Sequence, residues 1–254
     1  MYTLKADKIS KAFGGVQAVD NFSVKVEPNE IVSIIGPNGA GKTTVFNLIS
    51  GVYTADTGSI FIEDKEITNK PQHEITQAGV ARTFQNIRLF KGLTVLENVM
   101  TAHDPLVKYN FFDAILMTPK KLRLDRENRV LSMTYLETVG IAEYASSDPF
   151  NLPYGMQKKL EIARALATDP KVLMLDEPAA GLNPAELLEF IRLIRDLHER
   201  LGISIVIIDH RMQVVMSLSK RIYVLNFGKM LAEGTPEEIQ NNPDVTKAYI
   251  GEGA

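Results

Sequence analysis

The chain is predicted to be an α/β protein built on a mainly parallel sheet, with an N-terminal antiparallel β subdomain and an inserted helical subdomain. Three observations predict it. The glycine-rich loop Gly36-Pro37-Asn38-Gly39-Ala40-Gly41-Lys42-Thr43-Thr44 lies between a β-branched run and an amphipathic stretch. Strand and helix signals alternate again after residue 170, while residues 93–160 carry helical spacing with few strand signals.

The elements follow in order. Ser23-Val24-Lys25-Val26, Ile31-Val32-Ser33-Ile34-Ile35 and Gly58-Ser59-Ile60-Phe61-Ile62 read as strands separated by turns. Thr44-Val45-Phe46-Asn47-Leu48-Ile49 reads as a helix, after which Gly51 and Ala55-Asp56-Thr57-Gly58 return the chain to strand. Residues 93–100, 128–139 and 156–168 show helical spacing. Lys171-Val172-Leu173-Met174-Leu175 reads as a buried strand, and Pro184 opens a helix with Leu187, Leu188, Phe190, Ile191, Ile194 and Leu197 on its apolar face. Residues 203–208 and 221–225 give the last two strands. Strands alternating with helices predict a parallel sheet with its phosphate-binding loop at a strand C-terminus. The whole is read as one domain, residues 1–92 and 161–254 forming the core and 93–160 the helical subdomain.

Composition narrows the function classes. Hydrophobic content of 45% and charged content of 23% are ordinary for a globular protein. A net charge of −3 gives no bulk attraction to nucleic acid, which is not expected as a partner. The absence of cysteine excludes disulfides and thiolate metal sites. Met1-Tyr2-Thr3-Leu4-Lys5-Ala6-Asp7 lacks the regions of a signal peptide, and no apolar run approaches the roughly 20 residues of a membrane span. A cytoplasmic location is expected, with any membrane crossing left to another chain.

The loop matches G-x-x-x-x-G-K-[ST] at every fixed position, the P-loop of nucleotide-binding proteins. Its glycines let backbone N–H groups point at phosphate oxygens, and the helix N-terminus adds partial positive charge. Lys42 is expected to reach the β- and γ-phosphates and the Thr43 hydroxyl to ligate Mg²⁺. Leu173-Met174-Leu175-Asp176-Glu177 is an apolar strand ending in two acids. Asp176 is placed to hold Mg²⁺ and Glu177 to orient or deprotonate the attacking water. Gln85 closes the strand-rich region before the helices, where its amide could touch Mg²⁺ or that water; His210 ends a strand at the same sheet edge as the acids.

This order of motifs resembles the nucleotide-binding subunits of ATP-binding cassette (ABC) transporters over essentially the whole chain. The resemblance implies a P-loop NTPase core, with ATP and Mg²⁺ as cofactors. It makes Phe13 the adenine-stacking aromatic, Gln85 the Q-loop glutamine, Glu177 the catalytic glutamate and His210 the switch histidine. Leu152-Pro153-Tyr154-Gly155-Met156 stands where the signature Leu-Ser-Gly-Gly-Gln belongs and is expected to face a partner's nucleotide. The stretch Arg82-Thr83-Phe84-Gln85-Asn86-Ile87-Arg88-Leu89-Phe90, the signature tyrosine, Ala179-Ala180-Gly181-Leu182-Asn183-Pro184, the segment 105–129 and Ala248-Tyr249-Ile250-Gly251-Glu252 are similar to the ATPases of branched-chain amino-acid importers. That group implies a peripheral subunit on the cytoplasmic face of the membrane. Its partners are a second ATPase subunit, like or unlike, arranged head to tail, two integral membrane subunits and, indirectly, an extracytoplasmic solute-binding protein.

Several positions depart from the family pattern. Pro153, Tyr154 and Met156 replace signature Ser, Gly and Gln; Asn183 replaces the D-loop acid; Arg211 follows the switch histidine where an acid is common. A soluble ABC ATPase acting on ribosomes or DNA usually needs two cassettes or long coiled coils, and a non-hydrolysing regulator would not need Glu177 and His210. Leu89, Phe90, Phe111, Phe112, Ile115, Leu116 and Met117 form an apolar cluster expected mostly to fill the subdomain core, any exposed members offering a groove for a membrane subunit.

Overall fold

The computed structural model describes residues 2–103 and 118–250, the last of these by its backbone alone. It contains two compact units, Met1–Gln85 with Lys171–Ala254, and Asn86–Pro170.

The first unit begins with an antiparallel sheet made of β1 (Leu4–Phe13), β2 (Val16–Val26), β4 (Thr57–Ile62) and β5 (Lys65–Glu66), in the order β2-β1-β4-β5. Phe22, Val24 and Val26 of β2 are fully buried and the intervening Lys25 is exposed, the period of a strand with one face on a core. The second sheet holds β3 (Ile31–Ile35), β6 (Val80–Arg82), β7 (Val172–Asp176), β8 (Ser204–Ile208), β9 (Arg221–Asn226) and β10 (Lys229–Gly234), in the order β10-β9-β3-β8-β7-β6. Its neighbours are parallel except for the β9–β10 hairpin.

Adjacent residues of one strand enter different cores. Val32, Ile34, Tyr223 and Leu225 pack with the antiparallel sheet and with Val45, Phe46 and Ile49 of α1 (Lys42–Ile49); Ile35, Ile222 and Val224 pack with Val215 and Ile239. Burying each such side chain contributes roughly 1.5–3 kcal/mol, which is why β3 and β9, apolar on both faces, settle inside the sheet. Three helices, α6 (Pro184–Leu201), α7 (Met212–Leu218) and α8 (Pro236–Gln240), lie between or beyond the later strands, after the short α2 (Gln72–Gln77), and α9 (Pro243–Ile250) follows. In α6 the expected apolar face is buried except at Leu188, which is 47% exposed. It stands one residue, about 100° of helix, beyond Leu187 and so leaves the stripe centred on Leu187, Ile191 and Ile194.

The second unit is helical: α3 (Val95–His103), α4 (Pro119–Thr138) and α5 (Tyr154–Leu166) pack against one another, with single turns at Ala142–Tyr144 and Pro149–Asn151. Residues 86–92 fall within this second unit, ahead of residue 93 where helical spacing begins in the sequence. The buried Asn98 side chain accepts from Phe90 N at 2.9 Å and donates to Thr94 O at 3.0 Å, and Glu161 accepts from Arg88 N at 3.0 Å. The expected boundary after residue 160 also falls inside α5, which runs unbroken to Leu166. Of the apolar cluster near the Q-loop, Leu89 is half-buried and Phe90 is 46% exposed; Phe111, Phe112, Ile115, Leu116 and Met117 lie outside the described residues.

Candidate nucleotide site

The loop from Gly36 to Gly41 joins the end of β3 to the first turn of α1. Two glycines are demanded by close backbone approach. A Cβ on Gly36 (φ 150°) would lie 2.1 Å from Leu225 O, and one on Gly41 (φ 103°) 2.4 Å from Ala18 O. The loop is therefore clasped by β9 and β2, and Gly228 N donates to Ala40 O at 2.9 Å. Lys42 Nζ donates to Gly36 O at 2.6 Å and Pro37 O at 2.7 Å, inside the curve of the loop. Thr43 and Thr44 occupy the first turn of α1, where free N–H groups and the helix dipole favour an anion.

The acids emerge from the same sheet edge. β7 pairs with β8, placing Asp176 opposite Ile208, and β8 pairs with β3, so only one strand separates the acids from the P-loop. Asp176 is 4% exposed, and its Oδ2 accepts from Arg82 Nη2 at 2.7 Å. Glu177 adopts a left-handed backbone (φ 45°), rare for a residue with a side chain, and its N–H is anchored on Ile208 O at 2.8 Å. That turn aims the carboxylate at the expected partners: Oε2 accepts from Gln85 Nε2 at 2.8 Å and lies 3.9 Å from His210 Nδ1. The histidine distance is too long for a hydrogen bond but short enough for a water bridge.

Phe13 ends β1 with 42% of its surface exposed, as a ring able to receive a base must be. Tyr53 meets it edge to face at 5.1 Å, and Lys11 Nζ lies 5.6 Å from its centroid. Lys11 is itself held by Asp56, whose carboxyl sits below the usual range through hydrogen bonds from Lys11 and from Ala12 N–H.

Within the second unit, Leu152 is buried and Pro153 is the N-cap of α5, which starts at Tyr154. Pro153 supplies no side-chain cap; Met156 N and Gln157 N bond its carbonyl at 2.9 and 3.1 Å. Gly155 and Met156 form the first turn, and Tyr154 is 43% exposed with Lys158 Nζ 5.6 Å from its ring.

Two of the unusual positions find physical roles. Asn183 caps α6: its Oδ1 accepts from Ala185 N at 2.9 Å and Glu186 N at 3.0 Å, and Glu186 reciprocates onto Asn183 N. Arg211 donates through Nη1 to Leu182 O at 3.0 Å, tying the residue after His210 to the D-loop. Sequence reasoning missed Asp209, which is 1% exposed and accepts from Arg211 N at 2.8 Å and Ala179 N at 3.3 Å, and it gave no role to Arg82. An acid closing the apolar run of β8 was a usable signal for Asp209.

The oxygen donors expected for Mg²⁺ are the Thr43 hydroxyl, the Gln85 amide and the Asp176 carboxylate. No group of three or more His, Cys, Asp or Glu able to hold a metal exists among the described residues. A donor set with one carboxylate and otherwise neutral oxygens suits a small hard cation that keeps waters and phosphate ligands, which is the habit of Mg²⁺.

Residues 19–180 match the ABC transporter family, and residues 229–254 match the branched-chain amino acid ATP-binding cassette transporter family. The chain is 47% identical over 249 residues to the high-affinity branched-chain amino acid transport ATP-binding protein LivG of Escherichia coli (strain K12), covering 98% of each chain. It is 46% identical over 249 residues, again 98% of each, to the corresponding protein BraF of Pseudomonas aeruginosa. The crystal structure of an ATP-binding cassette of an ABC transporter in its ADP conformation superposes with a TM-score of 0.85, at 32% identity and 99% coverage of both chains. A dimeric cassette in a post-hydrolysis state bound to ADP and Pi superposes at 0.76 with 26% identity, covering 92% of this chain and 98% of that one. With its family match over residues 19–180, near-half identity over almost the whole chain to transport ATP-binding proteins and a fold that superposes on solved cassettes, the chain belongs to the ABC transporter family as one of its ATP-binding, ATP-hydrolysing subunits.

Proposed function

We propose that the chain couples its ATP hydrolysis to the uptake of branched-chain or similar amino acids. The observation that carries the catalytic assignment is the convergence of Gln85 and His210 on Glu177, one residue beyond the buried Asp176. Phe13 stacks on adenine; Gly36, Pro37, Asn38, Gly39, Ala40 and Gly41 wrap the phosphates, with Lys42 and Thr44 on the first turn of α1 beside them. Thr43, Asp176 and Gln85 would hold Mg²⁺, which when bound would supply charge neutralisation to the phosphates. Glu177 takes a proton from the attacking water, and His210 and Gln85 keep water and carboxylate aligned.

The cargo assignment rests on the names of the relatives and on the match over residues 229–254. No helix among the described residues is long and apolar enough to cross a membrane. Two integral membrane subunits, supplied by an extracytoplasmic binding protein, make the crossing. This chain works at their cytoplasmic face, paired head to tail with a second ATPase subunit. Glu177→Gln keeps the hydrogen bond from Gln85 but removes the base. ATP binding should persist, turnover should fall by roughly 100-fold or more, and light scattering should show an ATP-trapped dimer. Turnover at the parental rate would refute the role of Glu177. In vesicles bearing the full transporter, leucine with its binding protein should stimulate ATPase activity while an unrelated amino acid should not.

A further inference from the structure

Arg82 closes β6 with its side chain 7% exposed, against an Asp176 side chain that is 6% exposed. One nitrogen, Nη2, donates to Asp176 Oδ2 at 2.7 Å; the other, Nη1, donates to Asn47 Oδ1 at 2.7 Å and Ser50 Oγ at 2.9 Å. The rings of Phe46 and Phe84 lie 5.6 and 5.2 Å from its Cζ. Its buried Nε has no hydrogen-bond partner among the described residues.

A buried guanidinium is costly unless its donors are paired, and one of these is not, so filling space does not account for an arginine here. Its bonds converge on two elements: α1, whose first turn carries Thr43, whose last turn carries Asn47 and whose C-cap is Ser50, and β7, whose last residue is Asp176. We propose that Arg82 is a positioning residue for the metal site, fixing the spacing and orientation of the Asp176 carboxylate relative to α1 and hence to Thr43. The inference rests on the assignment of Thr43 and Asp176 to Mg²⁺. Holding Oδ2 leaves Oδ1 for the cation and sets the plane in which it is presented. The planar fork bonds the acid and the helix through separate nitrogens, and the single nitrogen of lysine could keep only some of those bonds, so lysine should substitute in part.

The test is binding of a fluorescent ATP analogue, first in EDTA and then across a Mg²⁺ series, without reference to turnover. In Arg82→Met, affinity in EDTA should stay within about twofold of the parent, while the half-saturating Mg²⁺ concentration should rise roughly tenfold to a hundredfold, the scale of a charged hydrogen bond. Arg82→Lys should recover part of that loss. An unchanged or tighter Mg²⁺ response in Arg82→Met, the latter meaning that the guanidinium merely competes with the cation, would overturn the proposal, as would equal losses with and without Mg²⁺. Should Arg82→Met fail to fold, Asn47→Ala decides, because it loosens the guanidinium from α1 while Asp176 stays paired. A few-fold rise in half-saturating Mg²⁺ supports the proposal and no change overturns it. Asp176→Asn separates the two assumptions. A parental Mg²⁺ response there removes the metal assignment and the inference with it, whereas a lost response beside an unaffected Arg82→Met removes the inference alone.

Discussion

Phe13 presents a partly exposed ring buttressed by Tyr53 and Lys11, which prepays the ordering of a stacking surface. Base–aromatic stacking is worth roughly 1–3 kcal/mol per base in single-strand binders, so Phe13→Ala should weaken ATP binding by about 5- to 150-fold. An isothermal titration showing the parental affinity would exclude the stacking role. The residues that sequence made legible are those whose chemistry is written in adjacent positions: the P-loop from Gly36 to Thr43, and the acids after an apolar strand. Arg82, Asp209 and Arg211 act on partners 94, 30 and 29 positions away, and one sequence carries no such distances. The left-handed turn at Glu177 was equally hidden, since nothing in Asp176-Glu177-Pro178 marks a positive φ at a glutamate.

Helices were legible where an apolar stripe drew them and misplaced where caps did. The start of α4 lies nine residues before the 128 expected from spacing, because Thr118 accepts from Lys121 N and Pro119 supplies the first helical φ while the turns between are charged. The same physics makes Asn183 a structural cap. Asn183→Ala should destabilise the chain by about 0.5–2 kcal/mol in urea unfolding, and Asn183→Asp should keep the cap and add about 0.3–1 kcal/mol from the α6 dipole. An alanine variant as stable as the parent would show that the capping box carries no weight. On α5, burial pushes the Glu161 carboxyl above the ordinary glutamate range, against the pull of Arg88 N–H and of Lys158, Arg164 and Arg88. Its Oε2 is buried without a partner among the described residues. Because folding strengthens its hold on a proton, this group favours the folded state most at acid pH and less as pH rises through the raised value. Glu161→Gln should therefore gain stability relative to the parent as pH climbs from the acid range to neutral. Thermal melts showing a gap that is constant or shrinking with pH would contradict that burial effect.

At the scale of the assembled molecule, the P-loop and the signature belong to different compact units of one chain, and the proposed head-to-tail pairing makes each serve a different nucleotide. Pro153 stands at an N-cap, the position where serine would both cap α5 and offer a hydroxyl to phosphate. The substitution Pro153→Ser thus has two separable effects. In the isolated chain the new cap should add about 0.5–2 kcal/mol of stability whatever the assembly does. In a complex with the natural partner, a regained hydrogen bond to a charged phosphate, worth roughly 1.5–3 kcal/mol, should tighten ATP about 10- to 150-fold at the P-loop of the opposing subunit. The site built on Lys42 should not change, since the partner's own signature would complete it. Silencing one P-loop at a time and titrating ATP at the other reads the two sites separately. A gain at the opposing site alone supports signature action across the dimer; a gain at the Lys42 site alone would mean that this signature completes its own chain's nucleotide site, and head-to-tail pairing would be wrong. A more stable chain with both sites unmoved would mean that α5 needs the cap while the nucleotide never meets residue 153.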